Sequence, residues 1–305
     1  MRVALHDAEA EVTRTAQKYP NYALMKISAW HKARGDEVEW WQPLLGYDVV
    51  YSSKVFDFTP ENPYLPSDTI KGGTGYGLYQ DLPEEIDAVF PDYSMYSCDY
   101  AIGYLTRGCP NHCRWCVVPK KEGNIRPYRR WQDLVRQDTD KLVLMDNNIL
   151  ASDFGLEQLA GLTGSSYRID LNQGMDARLV TPEVAEVLAR LKWMRFLRFS
   201  CDQESQIEPI YHTCELLGKY GVRPYRVFVY LLVTADLGSA SRRVEALKKL
   251  PGINLYAQAE RNERMGIVPN KDQLDFSQRY VYSGTYRSET WEEYRARHRC
   301  GKDDG

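Results

Sequence analysis

The sequence predicts an α/β fold organised around parallel β-strands, and three observations carry that expectation. Apolar runs of strand length recur from residue 100 onward, at 100–105, 142–145, 168–171, 195–199, 226–233 and 254–257. Helix candidates alternate with them, at about 131–137, 154–162, 182–191, 207–220 and 240–250. The chain has 305 residues, too many for one small core and enough for a large α/β unit or two domains. Strands separated by helices pair in parallel through right-handed crossovers. Periodicity leaves two arrangements of the six strands open: an open or partial barrel, and a flat doubly wound sheet.

Each element has a local reason. Residues 3–5 are a short apolar strand. A helix over 22–34 follows from Ala23, Ile27, Trp30 and Ala33, spaced three to four apart, and Gly35 stands where a left-handed residue ends a helix. Residues 37–41 and 48–51 are further strand candidates. A loop with Pro60, Pro63 and Pro66 leads to Ile70 and Lys71, a strand end that runs into the glycine-rich turn Gly72-Gly73-Thr74-Gly75-Tyr76-Gly77. Pro83 and Pro91 punctuate the exit. In the second half the helix at 182 is the best signalled: Thr181 suits the N-cap, Pro182 the first helical position, and Glu183 the positive dipole end. The expected division is a first domain over 1–95, a second over 96–265, and a polar, aromatic tail over 266–305 with a short helix at 291–295.

Composition narrows the class. Hydrophobic residues at 43% and charged residues at 27% describe an ordinary globular protein, and a net charge of −3 gives no bulk attraction for nucleic acid or membrane. The amino terminus meets acid at Asp7, too early for a secretory apolar region, and the longest apolar run, 227–233, is far short of a membrane span. The expectation is a cytoplasmic protein with no membrane partner. Seven cysteines, an odd number with three crowded into eight residues, do not make a disulfide framework. In a reducing compartment such clustering points to metal binding or chemistry.

The crowded segment is Thr106-Arg107-Gly108-Cys109-Pro110-Asn111-His112-Cys113-Arg114-Trp115-Cys116, with the spacing C-x3-C-x2-C. Three thiolates on one loop can grip three irons of a cubane and leave the fourth iron open, whereas electron-transfer clusters generally use four cysteines. The alternative is a zinc site completed by a histidine or a fourth cysteine. His112 is awkwardly placed for that, but a distant His212 or a fourth cysteine could do it. The loop follows the first strand of the repeating unit, on the face where α/β active sites lie.

This spacing, with the aromatic Trp115 before the last cysteine, resembles the radical S-adenosylmethionine (SAM) signature. The flanks, residues 105–110 and 116–123, are similar to the radical SAM subgroup found beside cobalamin-type amino-terminal domains. The resemblance extends to Asp146-Asn147-Asn148 and to the segment 172–178. It implies a partial (β/α)6 TIM-like barrel, preceded by a small flavodoxin-like or cobalamin-binding-like α/β domain. It also implies a [4Fe–4S] cluster on Cys109, Cys113 and Cys116, with SAM chelating the unique iron. Reductive cleavage of SAM then gives methionine and a 5′-deoxyadenosyl radical that acts on a substrate the sequence does not name. A one-electron reductant such as flavodoxin or ferredoxin is the implied partner.

Further site candidates are strand-end residues. Asp146, Asn147 and Asn148 follow the second strand, where the resemblance places the SAM amino group. Gln173, Asp176 and Arg178 follow the third. The Arg178 guanidinium is suited to a bidentate carboxylate contact, and a local Asp176–Arg178 pair is the competing reading. Ser200 and Asp202 are candidates for the ribose, with Cys201 between them as a buried apolar residue. Tyr230 and Gln258 border the adenine or the substrate. Lys120, Lys121, Arg126, Arg129 and Arg130 form a basic stretch that leaves nucleic acid open as a partner, though a solvated surface is the commoner meaning. The glycine turn fits neither phosphate-loop pattern. No Asp-x-His-x-x-Gly loop exists: His6 precedes Asp7, and Ala29 stands where His31 and Gly35 would need an Asp. Cobalamin is therefore not expected. The rival readings are a radical methyltransferase or methylthiotransferase, and a non-catalytic zinc module contacting nucleic acid.

Overall fold

The computed structural model describes residues 1–12, 19–281 and 287–299. The chain is mixed α/β, and its main sheets are parallel. The first unit runs β1 (Arg2–Asp7), α1 (Ala8–Val12), α2 (Tyr22–Ala33), β2 (Glu37–Trp40), β3 (Val49–Ser53), β4 (Ile70–Gly72) and α3 (Glu84–Asp87). Its sheet has the order β2-β1-β3-β4, every pair parallel. Asn21 caps α2 by accepting from the Leu24 N–H, and Gly35 adopts φ 81° just past its end, as the sequence expects. Val3, Leu5, Leu24 and Ile27 bury the face between helix and sheet.

The second unit continues with β5 (Ala101–Gly103), β6 (Thr106–Arg107), α4 (Val118–Lys121), β7 (Arg126–Pro127) and β8 (Lys141–Leu144). Next come α5 (Asp153–Leu162), β9 (Arg168–Leu171), α6 (Pro182–Arg190), β10 (Leu197–Ser200) and α7 (Ile207–Lys219). The chain ends with β11 (Val227–Val233), α8 (Leu237–Leu247), β12 (Asn254–Ala259), α9 (Lys271–Arg279) and α10 (Trp291–Arg299). Strands β5-β8-β9 form one parallel sheet and β10-β11-β12 another. Parallel bridges link the two, Met175 with Phe199 and Ile169 with Trp193. Thr181 caps α6 through the Val184 N–H. The inner strand faces and the helices share one core, in which Leu142, Leu144, Ile169, Phe199, Val229, Leu231 and Leu255 are fully or almost fully buried.

Two expectations change. Residues 131–137 do not form a helix: only Trp131–Asp133 makes a 3-10 turn. There Gln158 Oε1 accepts the Trp131 N–H, and Arg136 reaches the carbonyls of Cys98 and Tyr100, so side chains serve where a helical ladder would have run. The expected tail is part of the core. Helix α9 carries a capping box between Asn270 and Gln273, Phe276, Tyr280 and Trp291 are buried, and Tyr280 O accepts from Ala257 N on β12.

The units meet across a polar and aromatic seam. Lys26 of α2 is buried and donates to the Asp87 carboxylate at 2.9 Å and to the Tyr128 hydroxyl at 2.9 Å, lying over the Tyr22 and Tyr128 rings. Burial lowers the Lys26 ammonium from its ordinary range against the pull of Asp87. The basic stretch is largely accounted for by this seam: Arg129 bonds the Asp87 carbonyl, Arg126 pairs with Asp81 at 3.3 Å, and Lys120 lies over the Tyr79 ring. No helix among the described residues is long and apolar enough to cross a membrane.

Candidate functional site

Parallel strands that share one direction deliver their trailing loops to one end, and here those loops enclose a cavity of about 730 Å³. The cysteine loop spans residues 108–125 and is pinched at its base by the antiparallel pair β6 and β7. Gly108 holds φ 84°, with the Asn124 carbonyl oxygen where a Cβ would go, so glycine is required there. Glu122 is the latch. Its carboxylate accepts from Arg107 (2.6 Å), the Gly108 N–H (2.9 Å) and Asn147 (2.9 Å).

Cys109, Cys113 and Cys116 all line the cavity. Backbone N–H groups point at two of the sulfurs: Asn111 N donates to Cys109 Sγ at 3.4 Å and Val118 N to Cys116 Sγ at 3.4 Å. Asn148 Nδ2 also reaches Cys109 Sγ, at 3.6 Å. Burial, followed by the neighbouring Cys109, raises the Cys113 thiol above its ordinary value, and burial likewise raises Cys116. Raised in this way, Cys113 and Cys116 are neutral thiols at pH 7. Among the described residues, no three His, Cys, Asp or Glu side chains are gathered as a ready metal cage.

Of the other sequence candidates, Trp115, Asn147, Asn148, Gln173, Asp176, Arg178, Ser200, Asp202, Tyr230 and Gln258 line the same cavity. Asp146 differs. It is buried behind the wall, where its carboxylate accepts from the Leu105 N–H (3.1 Å) and from the Thr106 N–H and Oγ1 (2.5 and 2.7 Å). It fixes the strand that enters the cysteine loop and offers nothing to a ligand. Burial raises its carboxyl to about 6, against those hydrogen bonds. Arg178 forms the local pair: Nε and Nη2 fork onto Asp176 at 2.8 and 2.6 Å, and Asn111 donates to the same carboxylate at 3.2 Å. Burial works to raise Asp176, but these bonds outweigh it and hold the carboxyl below its ordinary value. Asp202 accepts the Leu232 N–H at 3.1 Å and is raised by burial. Cys201 is buried, its thiol pushed up to about 12 by burial, as a packing residue's would be.

One polar atom stands out. Asn148 is almost fully buried at the cavity wall, and its Oδ1 has no hydrogen-bond partner. A buried amide oxygen without a donor costs about 1–3 kcal/mol, a cost this structure carries beside Cys109. Sequence reasoning missed Glu122, Asn111, Gln203 and Gln206. Gln206 Oε1 accepts the N–H groups of Asp202 and Gln203 and shapes the rim. Only the position of Glu122 beside Gly123, at the exit of the cysteine loop, could have signalled it. His212, the distant zinc candidate, lies on α7 and is not among the lining residues.

Compared with known families and with curated proteins, the chain matches no family model and no curated sequence.

Proposed function

We propose that the chain is a cytoplasmic radical SAM enzyme in which Cys109, Cys113 and Cys116 hold a [4Fe–4S] cluster and the 730 Å³ cavity receives SAM and substrate. The observation that carries this reading is the company the cysteines keep: three thiols from one loop line one cavity with Asn147, Asn148, Asp176, Arg178, Ser200 and Asp202, and Asn148 Nδ2 touches Cys109 Sγ. When bound, the cluster supplies the single electron that cleaves SAM reductively to methionine and a 5′-deoxyadenosyl radical, and a carrier such as flavodoxin or ferredoxin replaces that electron.

The chain's own residues bind, orient and exclude water. Glu122 and Asp146 hold the two ends of the cysteine loop. Asn148 takes the SAM amino group. Ser200, Asp202 and Tyr230 line the same cavity and would meet a nucleoside there. The two three-stranded sheets are read as one open (β/α)6 barrel, supported by the Met175–Phe199 and Ile169–Trp193 bridges.

The test is anaerobic reconstitution with iron and sulfide, followed by reduction with dithionite in the presence of SAM. About four irons and four sulfides per chain and formation of 5′-deoxyadenosine are expected. Zinc bound without sulfide, and no nucleoside released, would sink the proposal.

A further inference from the structure

A second cavity, of about 470 Å³, opens at the opposite end of the strands. It lies where β9, β10 and β11 begin, so Arg168 and Leu197 line it while Asp176 and Ser200 line the cysteine cavity. Four of its residues, Arg168, Lys192, Arg223 and Arg226, are cationic, and none of the lining residues is acidic. This is a local excess of positive charge on a chain whose net charge is −3.

The cations are only partly committed. Arg168 pairs with Asp140. Lys192 gives one bond to the Ser165 carbonyl (2.8 Å) and Arg226 one to the Arg195 carbonyl (2.9 Å), and each keeps further N–H donors. Arg223 is exposed and has no ion-pair partner among the described residues. The carboxyl ends of α6 and α7 close on this face and favour nearby cations. They give no reason for aromatic rings to stand there. Yet Trp193, Tyr220 and Tyr225 line the same cavity, with Tyr220 43% and Tyr225 61% exposed. Exposed rings interleaved with unpaired guanidinium groups are what a base and its phosphate require: a flat apolar surface for the π-face and forked donors for the oxygens.

We propose that this cavity binds a nucleotide unit, with the phosphate on Arg223 and Arg226 and the base stacked on Tyr225. The unit is either a free mononucleotide or one residue of a single strand. The site is independent of the cysteine cavity and of the chemistry proposed there.

Fluorescence anisotropy with a fluorescein-labelled single-stranded 12-mer, and competition by AMP, test it on the full chain. Binding should weaken with salt, and Tyr225→Ala should reduce affinity at least about fivefold while Tyr225→Phe retains it. Arg223→Ala should flatten the plot of log affinity against log salt by about 0.7. Competition by AMP at concentrations matching the oligonucleotide's affinity identifies a mononucleotide site; binding of the strand alone identifies single-stranded nucleic acid. No binding of either probe at low salt overturns the proposal. So does binding that Tyr225→Ala and Arg223→Ala leave unchanged while both variants melt at the wild-type temperature.

Discussion

The molecule has two carboxyl-terminal strand edges, and they have been put to opposite uses. In the first unit the described residues of the edge are bonded to one another. His6 Nδ1 meets Ser52 Oγ at 2.8 Å, and Ser52 meets Tyr76 at 2.7 Å. Tyr96 donates to Asp7, Glu9 accepts the Val55 and Phe56 N–H groups, and Lys54 bonds the Thr59 carbonyl. From the far end of the chain Arg264 lays its guanidinium on Gly75 and fills the space a side chain at Gly77 would take. In the second unit the equivalent edge is open, with three thiols around a cavity. Parallel topology offers such an edge in both units, and the difference lies in which side chains fill it. Substitutions at the open edge should therefore cost activity, and those at the bonded edge stability.

The sharpest break between the two comes from Cys113→Ala. It should eliminate iron retention and 5′-deoxyadenosine formation while changing the urea stability of the metal-free protein by less than about 1 kcal/mol. A variant that cleaves SAM at the wild-type rate would remove the open edge from the chemistry.

Behind the open wall, Asp146 makes stability depend on pH. Its folded-state carboxyl titrates at about 6 against 3.8 unfolded, so between those values the native state holds more protons than the unfolded one. The Asp146 contribution is complete below about pH 4 and is lost as pH rises to about 6, by up to about 3 kcal/mol. Urea midpoints across that range should decline more steeply for wild type than for Asp146→Asn; parallel curves would show that its titration is not coupled to folding.

Gly108→Ala should cost about 2–3 kcal/mol, from the left-handed backbone and the Asn124 carbonyl in its way. Thermal melting of the metal-free chain measures it. At the bonded edge Ser52→Ala should cost about 1 kcal/mol and leave nucleoside formation untouched. If it instead lowers activity without lowering the melting temperature, the first unit takes part in the reaction and the contrast between edges fails.

Much of this was legible in the residues. The alternation of apolar runs gave the parallel strands, the Thr181-Pro182-Glu183 cap gave α6, and Gly35 gave the end of α2. The strand-end rule gathered nine of the predicted polar and aromatic residues around the cysteines. What escaped was tertiary. Asp146 reads like its neighbours Asn147 and Asn148, and only the backbone of residues 105 and 106 turns it inward. Glu122 looks like any loop acid until Arg107, Gly108 and Asn147 converge on it. Helix α9 is polar in sequence, and its few buried side chains, Phe276 among them, do not announce a core element. The basic run after the cysteines looks like an anion site until the acids at 81 and 87, far back in the chain, are brought against it.

The contact of Arg264 with the glycine turn has a kinetic corollary. Its backbone N–H also bonds Asp57 at 3.0 Å, so a loop late in the chain is moored to one laid down some two hundred residues earlier. Partners so remote in sequence meet by diffusion of pre-collapsed pieces, and mooring belongs among the last events of folding.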